Sequence, residues 1–255
     1  MAANLTVIIP AKNEEHNIAR VLTSVGWSSE VIVIDSGSAD RTVAIASSFA
    51  NTKLIQTEWL GYTKTKQLGI DAASNEWILW LDADEEVMPE LAKSIQYFLL
   101  RSDLEKIAGA RIKRLSFIGT KAIYHSGWYP GLTLRLFHRR RAVLVDRAVH
   151  EYVEPLSKQD NRVEVLDGDL RHYSYPDFES YFRKSVQYAV LSSLELRKSG
   201  QSFSISKMIL HPVGAILRQY FLKLGFLDGV EGLLIAVGSA YGRFVKYAML
   251  HDRKS

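Results

Sequence analysis

The sequence predicts an α/β fold: a mainly parallel sheet covered by helices, then partly antiparallel strands, then a C-terminal helical region. Three observations carry that prediction. Short apolar runs alternate with amphipathic stretches through the first hundred residues. Those runs are apolar on both faces, as strands between two helix layers are. From residue 109 the pattern becomes extended and alternating, and beyond Pro176 it turns helical.

The elements follow in order. "LTVIIP" (5–10) is a buried strand ended by Pro10, and "NEEHNIARVLTSV" opens a helix with Asn13 at its N-cap and acids in its first turn. Ile18, Val21, Leu22 and Val25 fall on one face of that helix. "EVIVIDSGS" (30–38) is a second strand, "DRTVAIASSFA" a second helix, "KLIQT" (53–57) a third strand and "TKTKQLGIDAA" a third helix. The fourth strand, "WILWL", runs into Asp82, Asp84, Glu85 and Glu86. Pro89 then stands at the first position of a helix led by Leu91, Ile95 and Phe98. Later segments, "GARIKRLSFIG", "LTLRLFHRR", "AVLVDRAVHEYV" and "RVEVLDGDLRHY", read as added strands. Residues 177–200 and roughly 205–250 read as helices.

At 255 residues the chain is near the upper size for one hydrophobic core, so one large domain with an appendage is expected. The 47% hydrophobic and 24% charged content is that of a globular protein. A net charge of +4 and a pI near 9.1 point weakly to an anionic partner, with no nucleic acid expected. The absence of cysteine excludes disulfides, thiolate metal sites and cysteine nucleophiles. "MAANLTVIIPAKNEE" is too briefly apolar for a signal peptide, and about eighteen successive uncharged apolar residues occur nowhere. A cytoplasmic location is the expectation.

Ligands of open α/β sheets bind beyond the carboxyl ends of the strands. The first strand delivers Pro10, Lys12, Asn13 and Glu14 there, the second Asp35, Ser36 and Ser38, and the fourth Asp82 and Asp84. A nucleotide suits such a rim, because Asp35 can accept from a base or ribose and a helix start near Asn13 offers backbone donors. Asn13 and Asp35 serve equally well, taken singly, as a cap and a turn former. Side chains two apart on an extended chain share a face, so Asp82 and Asp84 converge and repel unless a cation lies between them. Carboxylate oxygens suit Mg²⁺ or Mn²⁺. Glu85 and Glu86 read as a solvated acidic loop before a helix.

Together, "TVIIPAKNEEHNI", "VIVIDSGSADRT", "GYTKTKQLG" and "WILWLDADE" resemble the successive motifs of glycosyltransferase family 2, inverting nucleotide-sugar enzymes of GT-A fold. The likeness is close over about residues 4–90 and looser from there through "LRLFHRR" and "VHEYV" to the C-terminus, and across that length the chain is most similar to the bacterial lipopolysaccharide core glucosyltransferase branch. It implies a Rossmann-like mixed sheet flanked by helices and a UDP-sugar donor. It also implies a glycan or glycolipid acceptor and metal binding by Asp82 and Asp84. Pro10, Asn13, Glu14 and Asp35 would surround uracil and ribose, with Lys64 and Lys66 near the nucleotide-sugar. The implied division is 1–176 for catalysis (1–108 for the donor, 109–176 for the acceptor) and 177–255 for membrane or subunit contact.

The Glu-Asp pair that carries the general base in many members is missing. "RAVHEYV" supplies His150 and Glu151 instead. Inverting transfer needs a base within reach of the acceptor hydroxyl. Glu151 is assigned that role and His150 a metal or diphosphate contact, the two being exchangeable, with His172 a third candidate. Arg135 suits a phosphate through its planar fork of donors, while Arg139, Arg140 and Arg141 form a solvated turn or phosphate contacts. "HSGWYPG" (125–131) is either an acceptor-site lid or, through Trp128, a piece of core.

The tail carries Lys207, Arg218, Lys223, Arg243 and Lys246 among aliphatic and aromatic residues. Such helices lie in a membrane interface, here the cytoplasmic face of the inner membrane, or pack on the catalytic domain or a twin subunit. Two rival functions are weighed: a sugar nucleotidyltransferase, which would carry a Gly-rich loop where this chain has "PAKNEE", and a non-catalytic scaffold. A dinucleotide oxidoreductase is disfavoured, since no G-x-G-x-x-G follows the first strand.

Overall fold

The computed structural model describes residues 3–145, 152–157 and 161–251. The chain forms two compact units, Met1–Arg114 with Gly131–His172, and Leu115–Pro130 with Tyr173–Ser255.

The first unit begins with β1 (Ala3–Ala11), α1 (Ile18–Ser24), β2 (Ser28–Asp35), α2 (Thr42–Ser47), β3 (Thr52–Gln56), α3 (Tyr62–Ala72) and β4 (Trp77–Trp80). β5 (Glu85–Val87) and α4 (Pro89–Leu99) follow. The chain then adds β6 (Ile107–Ile118), β7 (Lys121–Ala122), β8 (Thr133–His138), β9 (Ala142–Val145), β10 (Tyr152–Pro155) and β11 (Arg162–Tyr175). The main sheet has the order β3-β2-β1-β4-β8-β6-β11-β5, with β7 paired to β6, while β9 and β10 form a separate antiparallel pair. β1 to β4 are parallel; β4 with β8, β8 with β6 and β11 with β5 are antiparallel. The expected mixed sheet flanked by helices is what the chain forms.

Strand alternation divides the core into two layers. Leu5, Val7 and Ile9 of β1 face α1 through Ile18, Val21 and Leu22, and α4 through Leu91, Ile95 and Phe98. Ile8, Ile32, Ile34, Ile78 and Trp80 face the other way, against Leu68 and Ile70 of α3. Each fully buried aliphatic side chain contributes roughly 1.5–3 kcal/mol, so this double burial explains why the strands read as continuous apolar runs. α3 lies close on the sheet because residue 69 is glycine: a Cβ there would meet Ile8 Cγ2 at 2.6 Å and Ile34 Cδ1 at 2.8 Å.

Three local expectations are corrected. Asn13 does not cap α1, which starts at Ile18 after Asn17; Asn13 is instead left-handed (φ 56°), a conformation asparagine tolerates, and turns the chain off β1. The acids after β4 are not all solvated, because Glu85–Val87 pairs with β11, His172 opposite Glu85 and Leu170 opposite Val87. Within 142–153, the described residues Ala142–Val145 and Tyr152–Val153 belong to two strands, β9 and β10, that pair antiparallel with each other instead of running on as one.

The second unit contains α5 (Phe178–Lys198), α6 (Ile205–Ile216), a π-helical continuation Leu217–Leu222, a 3₁₀ turn Gly225–Asp228 and α7 (Val230–Ala248). Its core is aromatic. Ile118, Ile123, Tyr181 and Ile235 are buried, with Trp128, Tyr175, Phe178 and Phe182 packed on them. The Tyr181 hydroxyl donates to the Ile235 carbonyl at 2.9 Å, and residue 238 is glycine beneath the Tyr181 ring. Trp128 is a core residue here, its ring 5.9 Å from both Tyr175 and Tyr181.

Candidate active site

Within the first unit the carboxyl ends of the parallel strands carry two kinds of structure, a hydrogen-bonded loop rim and a buried charge cluster. The rim joins the loops after β1 and β2. The Asn13 N–H donates to Ser38 Oγ (2.9 Å), the Ala39 N–H to Asn13 Oδ1 (2.8 Å) and the Glu14 N–H to Thr42 Oγ1 (2.8 Å). These backbone donors, expected to face a ligand, are thus engaged by side chains of the neighbouring loop. Glu14 accepts from Asn17 Nδ2 at 2.8 Å. Asp35 is buried and accepts from the N–H groups of Gly37 (3.1 Å) and Ser38 (3.1 Å), with Gly37 at φ 83° completing the turn. Pro10 lies half-buried opposite Ile34 at the end of β1.

The charge cluster sits at the end of β4. Burial alternates from Leu81 to Val87, so Asp82, Asp84 and Glu86 are partly exposed while Ala83 and Glu85 are buried. The chain turns here: the Glu85 N–H donates to the Asp82 carbonyl (3.0 Å), and the Glu85 carboxylate accepts from the Asp82 N–H (2.9 Å). Asp82 Oδ2 accepts from Arg135 Nη2 at 2.7 Å, and Asp82 Oδ1 lies 3.5 Å from Lys66 Nζ. Asp84 Oδ2 instead faces His172 Nε2 at 3.3 Å. The two aspartates share a side of the chain but go to different partners, because a turn has replaced the extended backbone.

Arg135 bridges Asp82 to Glu85, each at 2.7 Å, and Arg114 stands 3.9 Å from Glu85. Burial opposes the charge on Asp82, but Arg135 and Lys66 outweigh it and hold its carboxyl far below the usual carboxylate range. Burial pushes the fully enclosed Glu85 the other way, upward. Burial also works against the Arg135 guanidinium, but two carboxylates keep it protonated well above its ordinary range. Trp80 lies beside these cations, with Lys66 Nζ 3.4 Å from its ring centroid and Arg135 Cζ 5.5 Å. Among the described residues, Trp80 Nε1, Arg135 Nε, and the hydroxyls of Ser36 and Thr65 are buried without a protein partner. Buried polar atoms that lack partners cost about 1–3 kcal/mol each, so unfilled donors here mark groups suited to a polar ligand.

Some expected residues are not brought to the cluster. Lys64 is exposed while Lys66 is buried, since residues two apart on α3 point in different directions. Arg139 Nη1 donates to the Ala73 carbonyl (2.6 Å), Arg140 pairs with Glu76 (2.7 Å) and Arg141 donates to the Leu104 carbonyl. The three arginines therefore fasten loops. His150 and Glu151 lie outside the described residues. Glu85 is the member of the cluster that sequence reasoning misses. Its signal is the alternation Leu81, Ala83, Glu85, Val87, which places this acid in the inward set.

Among the described residues no three His, Asp or Glu side chains form a ready metal cage. The Asp84 carboxylate is an oxygen donor of the kind that Mg²⁺ or Mn²⁺ accepts, and both it and the facing His172 remain partly accessible.

The sequence profile of "Glycosyl transferase family 2" matches residues 6–157. An uncharacterized glycosyltransferase of Rickettsia typhi, RT0209, is 29% identical over 97% of the chain and 87% of its own length. The lipopolysaccharide core biosynthesis glycosyltransferase LpsC of Rhizobium meliloti is 26% identical over 98% and 92%. Among solved structures, the mannosyltransferase PcManGT of Pyrobaculum calidifontis, in complex with GDP-Man and Mn²⁺, superposes with a TM-score of 0.56. It is 12% identical and is matched over all of this chain and 89% of its own.

Proposed function

This chain belongs to glycosyl transferase family 2, and from that premise we propose that it is an inverting, UDP-sugar-dependent transferase acting on a glycan or glycolipid of the lipopolysaccharide core, with glucose the sugar moved. The observation that carries the reading is the cluster of Asp82, Lys66, Arg135 and Trp80 at the end of β4. It is a charged, partly orphaned polar site where an α/β sheet binds its ligand. The 26% identity to LpsC along nearly the whole chain supports the acceptor class.

In this reading the acceptor oxygen attacks the anomeric carbon as the bond to the diphosphate oxygen breaks, the electron pair leaving with UDP. Glu151 takes the acceptor proton. Lys66, held over Trp80, presents positive charge to the departing diphosphate. Arg135, tied down by Glu85, fixes the direction of Asp82. Pro10, Asn13, Glu14 and Asp35 shape the nucleoside end of the cleft, with Lys64 at its edge. Asp84 and His172, together with Asp82 and His150, would hold Mg²⁺ or Mn²⁺, which when bound supplies neutralisation of diphosphate charge. Residues 1–108 carry most of the donor site, and 109–176 supply the acceptor side together with the catalytic Glu151, Arg135 and His172.

The full chain is to be incubated with UDP-glucose or GDP-mannose, with Mn²⁺ or Mg²⁺, and with truncated lipopolysaccharide core. Acceptor-dependent UDP release and a hexose added by mass spectrometry are expected. GDP release in place of UDP would replace the donor, and release of neither would remove the reading. Glu151→Gln should bind UDP-glucose normally and lose most turnover, whereas Asp84→Ala should lose metal-dependent UDP binding.

A further inference from the structure

In the second unit the largest exposed apolar side chains are concentrated in one continuous segment. Leu210, Val213 and Leu217 recur at helical spacing along α6 and its π-helical continuation, and all three are exposed. Beyond them the chain reads "FLKLGFLDGV" (221–230), in which Leu222 is 78% and Val230 68% exposed, with Phe226 and Leu227 also in solvent. Exposed apolar side chains gathered along one segment in this way mark a surface that contacts another body.

The segment is held firmly in that position. Asp228 is buried, and its carboxylate accepts from the N–H groups of Tyr124 (3.1 Å) and His125 (2.9 Å) and meets His125 Nδ1 at 3.0 Å. The Ser126 N–H donates to the Lys223 carbonyl at 2.9 Å. Residue 232 is glycine directly against the Gly225 carbonyl, where a Cβ would come within 1.8 Å. The 3₁₀ turn is thus bolted at its base while its Phe226 and Leu227 side chains stay exposed.

Charge decides what covers it. Between residues 204 and 229 the cations are Lys207, Arg218 and Lys223, and the sole acid is Asp228, which is buried. A two-fold contact with a second copy through this face would set Arg218 and Lys223 near their own counterparts, with the partly exposed Glu231 as the one acid bordering the segment and more cations than it can pair. A surface of apolar chains beneath a layer of negative headgroups complements both features at once. No helix among the described residues is long and apolar enough to cross a membrane, so the contact is with its surface.

We propose that residues 210–230 dock this protein on an anionic lipid bilayer, with Leu222, Phe226 and Leu227 entering the interface and Arg218 and Lys223 meeting the headgroups. The test is co-sedimentation of the full chain with vesicles of phosphatidylglycerol and phosphatidylethanolamine, against vesicles of phosphatidylcholine alone. Binding to the anionic vesicles only, weakened by salt, is expected. Arg218→Glu with Lys223→Glu should lower that binding at least about 25-fold, at about fivefold or more per cation lost. Leu222→Ser with Phe226→Ser should lower it at least tenfold, with far-ultraviolet circular dichroism unchanged. Transfer to a water-soluble acceptor fragment should be unaffected in both variants, which separates this docking from the transfer reaction. Equal binding to neutral vesicles, no binding to either, or a dimer in sedimentation equilibrium that the serine variant dissolves would each overturn the assignment.

Discussion

The two units handle their costly groups in opposite ways. The first buries charge: Lys66, Glu85 and Arg135 are all enclosed, and each is matched by a neighbour of opposite sign. The second exposes apolar side chains from Leu210 to Val230 and, among the described residues, buries one carboxylate, Asp228, among donors. A buried charge has to be compensated inside the fold, because leaving one unpaired costs several kcal/mol. Exposed apolar surface has no internal remedy and is relieved only by something outside the chain. Internal compensation builds a site; its absence builds a contact surface.

The sharpest attempt to break this contrast is Arg135→Ala. It leaves Glu85 enclosed without its 2.7 Å partner, with Arg114 still 3.9 Å away, so a loss of about 3–5 kcal/mol in denaturant unfolding is expected. A loss below about 1 kcal/mol would mean that the cluster is not compensated as described. Gly232→Ala comes next. Its methyl group would collide with the Gly225 carbonyl, and a loss of roughly 1–3 kcal/mol is expected from the strain. That result would show the base of the apolar turn to be as tightly built as the sheet.

Leu222→Ser, a few residues from Gly225, should change folding stability by no more than about 0.5 kcal/mol, as surface substitutions do. A large loss would show that this leucine is core and would erase the difference between the units. The smallest effect concerns His138. Burial, and secondarily the Arg141 charge, hold its imidazole below the ordinary value of 6.5, against the pull of Glu76. The unfolded chain therefore takes up this proton first, so the stability that neutral His138 contributes is present above pH 6.5 and is lost as pH falls below it. His138→Gln should flatten the slope of thermal midpoint against pH over that interval.

Much of the fold is legible in the order of residues. The apolar runs at Val7–Ile9, Val31–Ile34 and Ile78–Leu81 mark parallel strands because both faces of each are covered. Pro89 at the first turn of α4 and the facial set Leu91, Ile95 and Phe98 stand in the structure where the pattern puts them. Asp82, Lys66 and Arg135 are each legible as candidates one at a time, and they meet because β4 ends where α3 and the antiparallel β8 begin. Asn13 misleads because asparagine favours both helix caps and left-handed turns, and only the bond to Ser38 across the gap from β2 decides between them. Glu85 misleads because a charged side chain looks solvated until its buried partner is known.

Local chemistry by itself determined the periodicities: where strands and helices lie, which positions face inward, and that acids gather after the fourth strand. Those features depend on neighbours a few residues apart, and the chain carries them in its order. Tertiary structure alone decided that β5 pairs with β11, that Asp82 turns to Arg135 while Asp84 turns to His172, and that the leucines after α6 stay in solvent. Each of those depends on groups tens of residues apart, whose electrostatic and packing energies exist only once the chain has brought them within a few ångströms.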